Sequence, residues 1–210
     1  MDKLDRGISA APLCLTKQVS GEPNFLRKGK AWKIRYERDG DANAFSWGSH
    51  QYKNNSEHIV EALSPISQNH CFYCDVNRLV YGVMRPEIDH FCPKTNRPIK
   101  AYYYQNLFLC CSTCNGYKLT KYNRKALLKF DDPYYTFDKY YFLDFDSGEV
   151  RVRKDVSWTE QKQARYTLFV LGINKDARPV TRRKELDKYL DSRNPQINDF
   201  SYRFYINRAI

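Results

Sequence analysis

Three pieces of one stretch decide how this chain is read: Cys71-Phe72-Tyr73-Cys74, then Ile88-Asp89-His90-Phe91-Cys92-Pro93-Lys94, then Cys111-Ser112-Thr113-Cys114-Asn115-Gly116-Tyr117-Lys118. A two-residue spacer lets both sulfurs of a cysteine pair turn toward one ion, and four thiolates satisfy a tetrahedral Zn²⁺. The competing reading is a set of buried, reduced thiols. Cys110 is able to stand in for Cys111, although only Cys111 has the two-residue spacing to Cys114. Cys14 and Cys92 lack partners in sequence and read as ordinary buried thiols. A site closed by Cys71, Cys74, Cys111 and Cys114 has no open position for water, so its zinc is structural. The chemistry is then sought in what the zinc holds.

Working outward, Leu79-Val80-Tyr81-Gly82-Val83 and Glu87-Ile88-Asp89-His90 read as the short strands of a hairpin, and Thr113 to Lys125 as a helix. Residues 1 to about 55 read as irregular apart from an apolar-polar stretch around Trp32, Ile34 and Tyr36. His58 to Leu63 reads as a helix that stops before Pro65. Tyr141, Leu143 and Phe145 alternate, Asp146-Ser147-Gly148 turns, and Val150 and Val152 alternate again, which predicts a second hairpin. Ser157-x-x-Glu160 is a capping box. It opens a helix with Ala164, Leu168 and Leu171 on one face and Gly172 at its end, and a further helix starts near Pro179 and carries Leu186 and Leu190. The expected organisation is an irregular or helical region over 1–69, a core over 70–130, and a hairpin with C-terminal helices suited to docking over 131–210. Without repeats or low-complexity linkers, these form one integrated domain.

The 210 residues carry 35 Lys and Arg against 24 Asp and Glu, a net charge of +11, so the chain either spreads solvated charge or presents a footprint for a polyanion. The 17 tyrosines serve core packing or base stacking equally. No apolar stretch approaches the roughly 20 residues that cross a bilayer, and the charged start Met1 to Arg6 is unlike a signal peptide. A cytoplasmic chain without a membrane contact, its cysteines reduced, is the expectation.

A lone histidine is usually structural, and His50, His58 and His70 take that reading. His90 differs through its neighbours. Cys-x-x-Cys, Asp-His-x-x-Pro-Lys, Asn-Leu and Cys-x-x-Cys-Asn-x-x-Lys, here Cys71 and Cys74, Asp89 to Lys94, Asn106-Leu107 and Cys111 to Lys118, resemble in order and spacing the zinc-knuckle form of the HNH endonuclease motif. The resemblance implies an α+β fold: a ββα-metal, treble-clef-like core with a four-Cys zinc site, embedded in a mainly helical domain. It also implies that His90 is the general base for an attacking water, that Asp89 and Asn115 bind the catalytic divalent ion, and that Asn106 holds the loop of the base. A near-neutral pKa suits such a base. Asn115 stands where many members have histidine. Carboxylate and amide oxygens are hard ligands, which favours Mg²⁺ or Mn²⁺ as the catalytic ion.

More loosely, the Leu4-Asp5-Arg6 start, the phrase around Cys71 to Lys94, and Leu168-x-x-Leu171-Gly172-Ile173-Asn174 with the Arg-rich helix after it resemble PtuB, the HNH subunits of Septu and retron-associated antiphage systems. That implies a hetero-oligomer with an ABC/SMC-type ATPase like PtuA, and in retron systems with a reverse transcriptase and its RNA-DNA. The chain has no Gly-x-x-x-x-Gly-Lys-Ser/Thr loop, so ATP chemistry belongs to a partner.

Lys94, Lys118, Lys121 and Lys125 are candidate phosphate contacts, against the alternative of a solvated helix face. Tyr102, Tyr103 and Tyr104 suit core packing or base stacking. Three functions are carried forward: a nuclease cutting DNA or RNA, tRNA included, as the toxic effector of a defence complex; a zinc-stabilised module that binds nucleic acid without cutting it; and an adaptor subunit. The set Asp89, His90, Asn106 and Asn115 distinguishes the first, because a pure binder has no need of it.

Overall fold

The computed structural model describes residues 1–50, 53–77, 79 and 84–210. Mixed helix and strand make up the fold, 45% helical and 11% strand, and the strands occur as separate two-stranded ribbons. Helices and loops must therefore supply most of the packing. One continuous cluster of buried side chains joins Leu15, Trp32, Ile59, Phe108, Phe130, Val150, Leu171 and Tyr205.

The N-terminal region is more regular than the sequence suggested. Asn24–Asp39 forms a helix (α1) closed by Gly40, whose φ of 66° is easy for glycine and whose N–H donates to the Tyr36 carbonyl at 2.8 Å. Trp32, Ile34 and Tyr36 thus lie on a helix, with Trp32 buried and Ile34 exposed. The inner face of α1 is narrow, with Gly29 and Trp32 one turn apart and Asn24 at its start. A Cβ on Gly29 would stand 2.3 Å from the Ile99 carbonyl oxygen, so the helix backbone rides directly on the turn Pro98–Lys100.

A second helix, Asn55–Ser67 (α2), includes Pro65 where the sequence predicts a stop before it. Pro65 lies in the last turn, and the Glu61 carbonyl it leaves without an N–H is on the same exposed side, where water can serve it. The buried residues Ile59, Val60, Leu63 and Ile66 press α2 onto the central ribbon.

That ribbon pairs Glu87–His90 (β1) with Leu107–Cys110 (β2), antiparallel, with Glu87 opposite Cys110 and His90 opposite Leu107. The partner expected for β1, Leu79 to Val83, lies outside the described residues except for Leu79, which is buried and donates its N–H to the Asn69 carbonyl. The helix after β2 is Ser112–Lys118 (α3), shorter than the expected Thr113 to Lys125. Leu119 turns to a φ of 45° and is exposed, while Tyr122 folds back edge-on to Phe91, so no apolar stripe exists to hold another turn.

The C-terminal third follows its sequence. Tyr141–Asp144 (β3) and Glu149–Val152 (β4) form the hairpin. Trp158–Val170 (α4) opens with both bonds of the Ser157–Glu160 capping box, and Gly172 follows its end at a φ of 58°. Arg178–Asp191 (α5) starts with Pro179 in its first turn. It faces inward through Arg178 and Arg182, both buried; Arg182 donates to the carbonyls of Gly148 and Ile173.

Gly29→Ala should destabilise the fold by about 1–3 kcal/mol, because backbone and not a flexible side chain meets the new methyl. Urea unfolding measures it; an unchanged midpoint would show that α1 does not ride on residues 98–100.

Candidate metal centre and active site

The four knuckle thiols come together. Cys71 and Cys74 follow α2, Cys111 caps the start of α3, and Cys114 sits in its first turn. All four Sγ atoms lie within 4.8 Å of one another, and all four residues are buried. Cys74 and Cys111 are 3.8 Å apart, the edge of a tetrahedron with metal–sulfur bonds of about 2.3 Å. The group can therefore hold a zinc ion. Cys110 is buried on β2 outside it, which settles the choice in favour of Cys111.

Backbone N–H groups of Cys111 and Cys114 point at the sulfurs of Cys71 and Cys111, each at 3.4 Å. Arg178 adds a guanidinium nitrogen 3.3 Å from the Cys114 sulfur and also holds the carbonyls of Leu171 and Gly172. Sequence reasoning missed Arg178, because nothing local marks one arginine of an Arg-rich helix as internal. Cys14 and Cys92 are buried free thiols.

Beside this centre, β1 and α3 face each other in two steps. Glu87 and Asp89 share one face of the strand, and Asn115 and Lys118 lie one turn apart on the helix. Asn115 Nδ2 donates to Glu87 at 2.6 Å, and Lys118 Nζ meets the two oxygens of Asp89 at 3.0 and 2.9 Å. Lys118 also donates to the His90 carbonyl at 2.7 Å, and the Tyr73 hydroxyl donates to Asp89 at 2.5 Å. Lys118 has no exposed surface. It was expected to reach a phosphate; it is instead consumed inside, because a buried carboxylate needs a charged partner. Asp89 and Asn115, expected to share an ion, are each bonded to another side chain. Glu87 is the residue sequence reasoning left out; its signal was the Glu-x-Asp spacing on a strand. Among the described residues, the four cysteines form the one group of three or more His, Cys, Asp or Glu placed to hold a metal.

His90 projects away from Asp89. Its Nε2 lies 2.9 Å from the Ala101 carbonyl oxygen, which can only accept, so Nε2 carries the proton and Nδ1 keeps its lone pair. Trp47 stacks parallel to the imidazole at 5.2 Å, and Phe45 meets it edge-on at 5.3 Å. The cover is fastened, since the Trp47 carbonyl accepts from Lys28 and from Asn55, both at 2.7 Å, and Tyr102 donates to the Ser46 carbonyl. Burial, with the Lys94 charge second, pushes the His90 pKa down to about 3, well below the near-neutral value expected. Lys94 itself sits over the Phe45 ring at 4.5 Å.

Asn106 ties the loop after His90. Its Oδ1 accepts from the Cys92 N–H at 2.8 Å, and its Nδ2 donates to the carbonyls of Cys92 and Lys100 at 3.0 and 3.2 Å. Lys121 and Lys125 are exposed, and Lys121 donates to the Tyr117 carbonyl.

Compared with known proteins, the chain matches no family model and none of the curated proteins. No helix among the described residues is long and apolar enough to cross a membrane.

Two outcomes are expected from this geometry. Cys74→Ser and Cys111→Ser should each lose bound zinc and cooperative unfolding, whereas Cys110→Ser should keep both; zinc analysis with thermal melting checks this, and full zinc in Cys111→Ser would remove the four-thiol site. His90 should make the fold acid-sensitive. An unfolded histidine takes up a proton near pH 6.5, but the native one does so only near about 3, so stability falls as pH drops between these values. Between about pH 7.5 and 5 the loss is about 2 kcal/mol, and His90→Asn should lack it. Equal slopes in the two proteins would show that His90 is not held neutral.

Proposed function

We propose that this chain is a metal-dependent HNH nuclease. The observation that carries the reading is the ribbon β1–β2 followed by α3 on a four-cysteine centre, with His90 ending β1, Asn106 pinning the loop behind it, and Asp89 and Asn115 on facing elements. Motif order in the sequence and element order in space agree, and no simpler binding module needs this set.

In this reading His90 takes a proton from the attacking water at Nδ1, the nitrogen left free by the Ala101 carbonyl. The ring is nearly buried, so Trp47 and Phe45 must swing aside before water or phosphate reaches it. The donor chemistry of Asp89 and Asn115, one carboxylate and one amide oxygen with Glu87 beside them, fits Mg²⁺ or Mn²⁺. Such an ion would stabilise negative charge on the scissile phosphate and the leaving oxygen. Lys118 now holds Asp89 in its place and would have to yield. The cysteine centre fits Zn²⁺ as a structural ion.

The substrate is a phosphodiester in DNA or RNA, tRNA included. An ATPase subunit of the PtuA kind, a retron reverse transcriptase with its RNA-DNA, a toxic role in antiphage defence and a cytoplasmic location belong to the same reading; with no phosphate-binding Gly-rich loop in the chain, any ATP chemistry in it would fall to the partner. One observation favours a second reading, a zinc-stabilised binding or adaptor module: His90 and Asp89 are both buried and bonded as structural residues would be.

Incubating the zinc-loaded chain, with and without a candidate ATPase, with plasmid DNA, single-stranded DNA and total tRNA in Mg²⁺, Mn²⁺ or EDTA separates the two. Cleavage should require the divalent ion and fall by roughly 10²–10⁴-fold in His90→Ala. Cleavage unaffected by His90→Ala, or none under any condition, favours the second reading.

A further inference from the structure

A cavity of about 530 Å³ opens behind the Asn106 clamp, between the loop of residues 91–106 and the segment 122–132. Its size is that of a small-ligand site. The chemistry of its wall is graded. Phe91 and Leu127 give an apolar floor, both buried. Tyr103 and Tyr122 stand half-buried at the sides; Gln105 offers an amide that can both donate and accept, and Gln163, whose Nε2 already donates to the Lys125 carbonyl at 2.7 Å, offers its amide oxygen. Lys100 and Arg124 bring positive charge to the wall, and among the described residues neither makes a side-chain hydrogen bond or ion pair. Lys129, also lining the cavity, is by contrast paired with Asp131. Asp132 is the acid on this wall, and one of its oxygens already accepts the Tyr134 N–H.

Unpaired cations beside phenol rings and amides over an apolar floor fit one kind of ligand: a planar base that stacks, an edge that hydrogen-bonds, and a phosphate that needs charge. Asn106 and Cys92 belong to the cavity wall and to the clamp behind His90. A nucleotide bound here is therefore adjacent to the loop that carries the proposed base. A base inside a duplex has both faces stacked and its edge paired, so it enters such a cavity only after leaving the stack.

We propose that this cavity takes one unpaired nucleotide of the substrate strand, which makes the chain selective for single-stranded or looped nucleic acid over intact duplex. The proposal rests on the nuclease reading for the strand's position, but not for the binding itself. A free mononucleotide presents the same chemistry and is the alternative source.

The test is fluorescence anisotropy on the full zinc-loaded chain in a weak magnesium chelator or in calcium, so that zinc stays bound and cleavage is off. Labelled single strands of DNA and RNA, a duplex of the same sequence, and unlabelled AMP as competitor are compared. Single strands should bind about tenfold or more tighter than duplex, and AMP should compete only weakly. The double variant Lys100→Ala/Arg124→Ala alters side chains that have no partner among the described residues; it should keep the melting temperature and lose about tenfold in single-strand affinity, with a smaller effect on duplex. Tyr103→Ala should weaken single strands by about tenfold, with Tyr103→Phe restoring most of it. Equal affinity for duplex and single strand, or an unchanged double variant, overturns the proposal; AMP binding as tightly as a strand overturns its strand form. A chain that shows this preference yet cuts nothing sinks the nuclease and leaves the cavity standing. His90-dependent cutting without the preference does the reverse.

Discussion

Four thiolates around one divalent ion carry two net negative charges, and here they would do so in a buried site. Such charge persists only where the protein answers it. Two backbone N–H groups and the Arg178 guanidinium do so, and Arg178 comes from α5, far along the chain from either knuckle. The centre therefore joins three parts: the exit of α2, the start of α3, and the C-terminal helices. β1 and β2 are four residues each, and a two-stranded ribbon of that length is marginal in water. Bolting the element after β2 to the segment before β1 is what lets so short a ribbon carry a defined geometry. Metal binding of this kind is worth roughly 10–16 kcal/mol, comparable with the whole stability of a domain.

The ribbon then divides its labour by strand alternation. One face of β1 gives Glu87 and Asp89 to α3, and the other gives His90 to the cover formed by Phe45 and Trp47. Lys118 links the faces, since one ammonium meets the Asp89 carboxylate and the His90 carbonyl. In the proposed nuclease, stability and reactivity would compete at this point. Lys118 answers the buried charge of Asp89, and the same pair occupies the carboxylate that the proposed nuclease would need. Likewise the shielded imidazole is unprotonated at neutral pH, as the proposed base would have to be, but would be a weak base while it stays covered.

How much of this was legible follows from the range of each interaction. The cysteine spacing, the Ser157–Glu160 box and the turn at Gly148 are local signals, and the elements they mark stand where the sequence puts them. Helix α1 was hidden because it buries little more than Gly29 and Trp32 while its exposed sides carry Lys and Arg, so the apolar period is too sparse to see. The pairing of β1 with β2 was not legible because a long loop separates the two strands in sequence, while the strand expected over residues 79–83 lies outside the described residues except for Leu79. The covering of His90 by Trp47 and the internal role of Lys118 depend on contacts 43 and 28–29 residues away in sequence, which leave no local pattern.

The same distinction corrects the meaning of the basic composition. Lys118 with Asp89, Arg6 with Asp131 and Arg203 with Asp75 remove charges in opposite pairs, so they leave the excess of +11 unchanged. Zinc on four thiolates would lower it by two. What the fold changes is where the excess resides. Lys118, which a linear reading assigns to a phosphate-facing helix, is spent inside, and among the described residues Lys100 and Arg124 at the wall of the cavity behind Asn106 have no side-chain partner. A polyanion attracted by the whole field would thus be held at a place that the run of lysines after Asn115 does not mark. Long-range attraction depends on the sum of charges and is readable from sequence; the site of contact depends on which charges remain unpaired, and only the fold decides that.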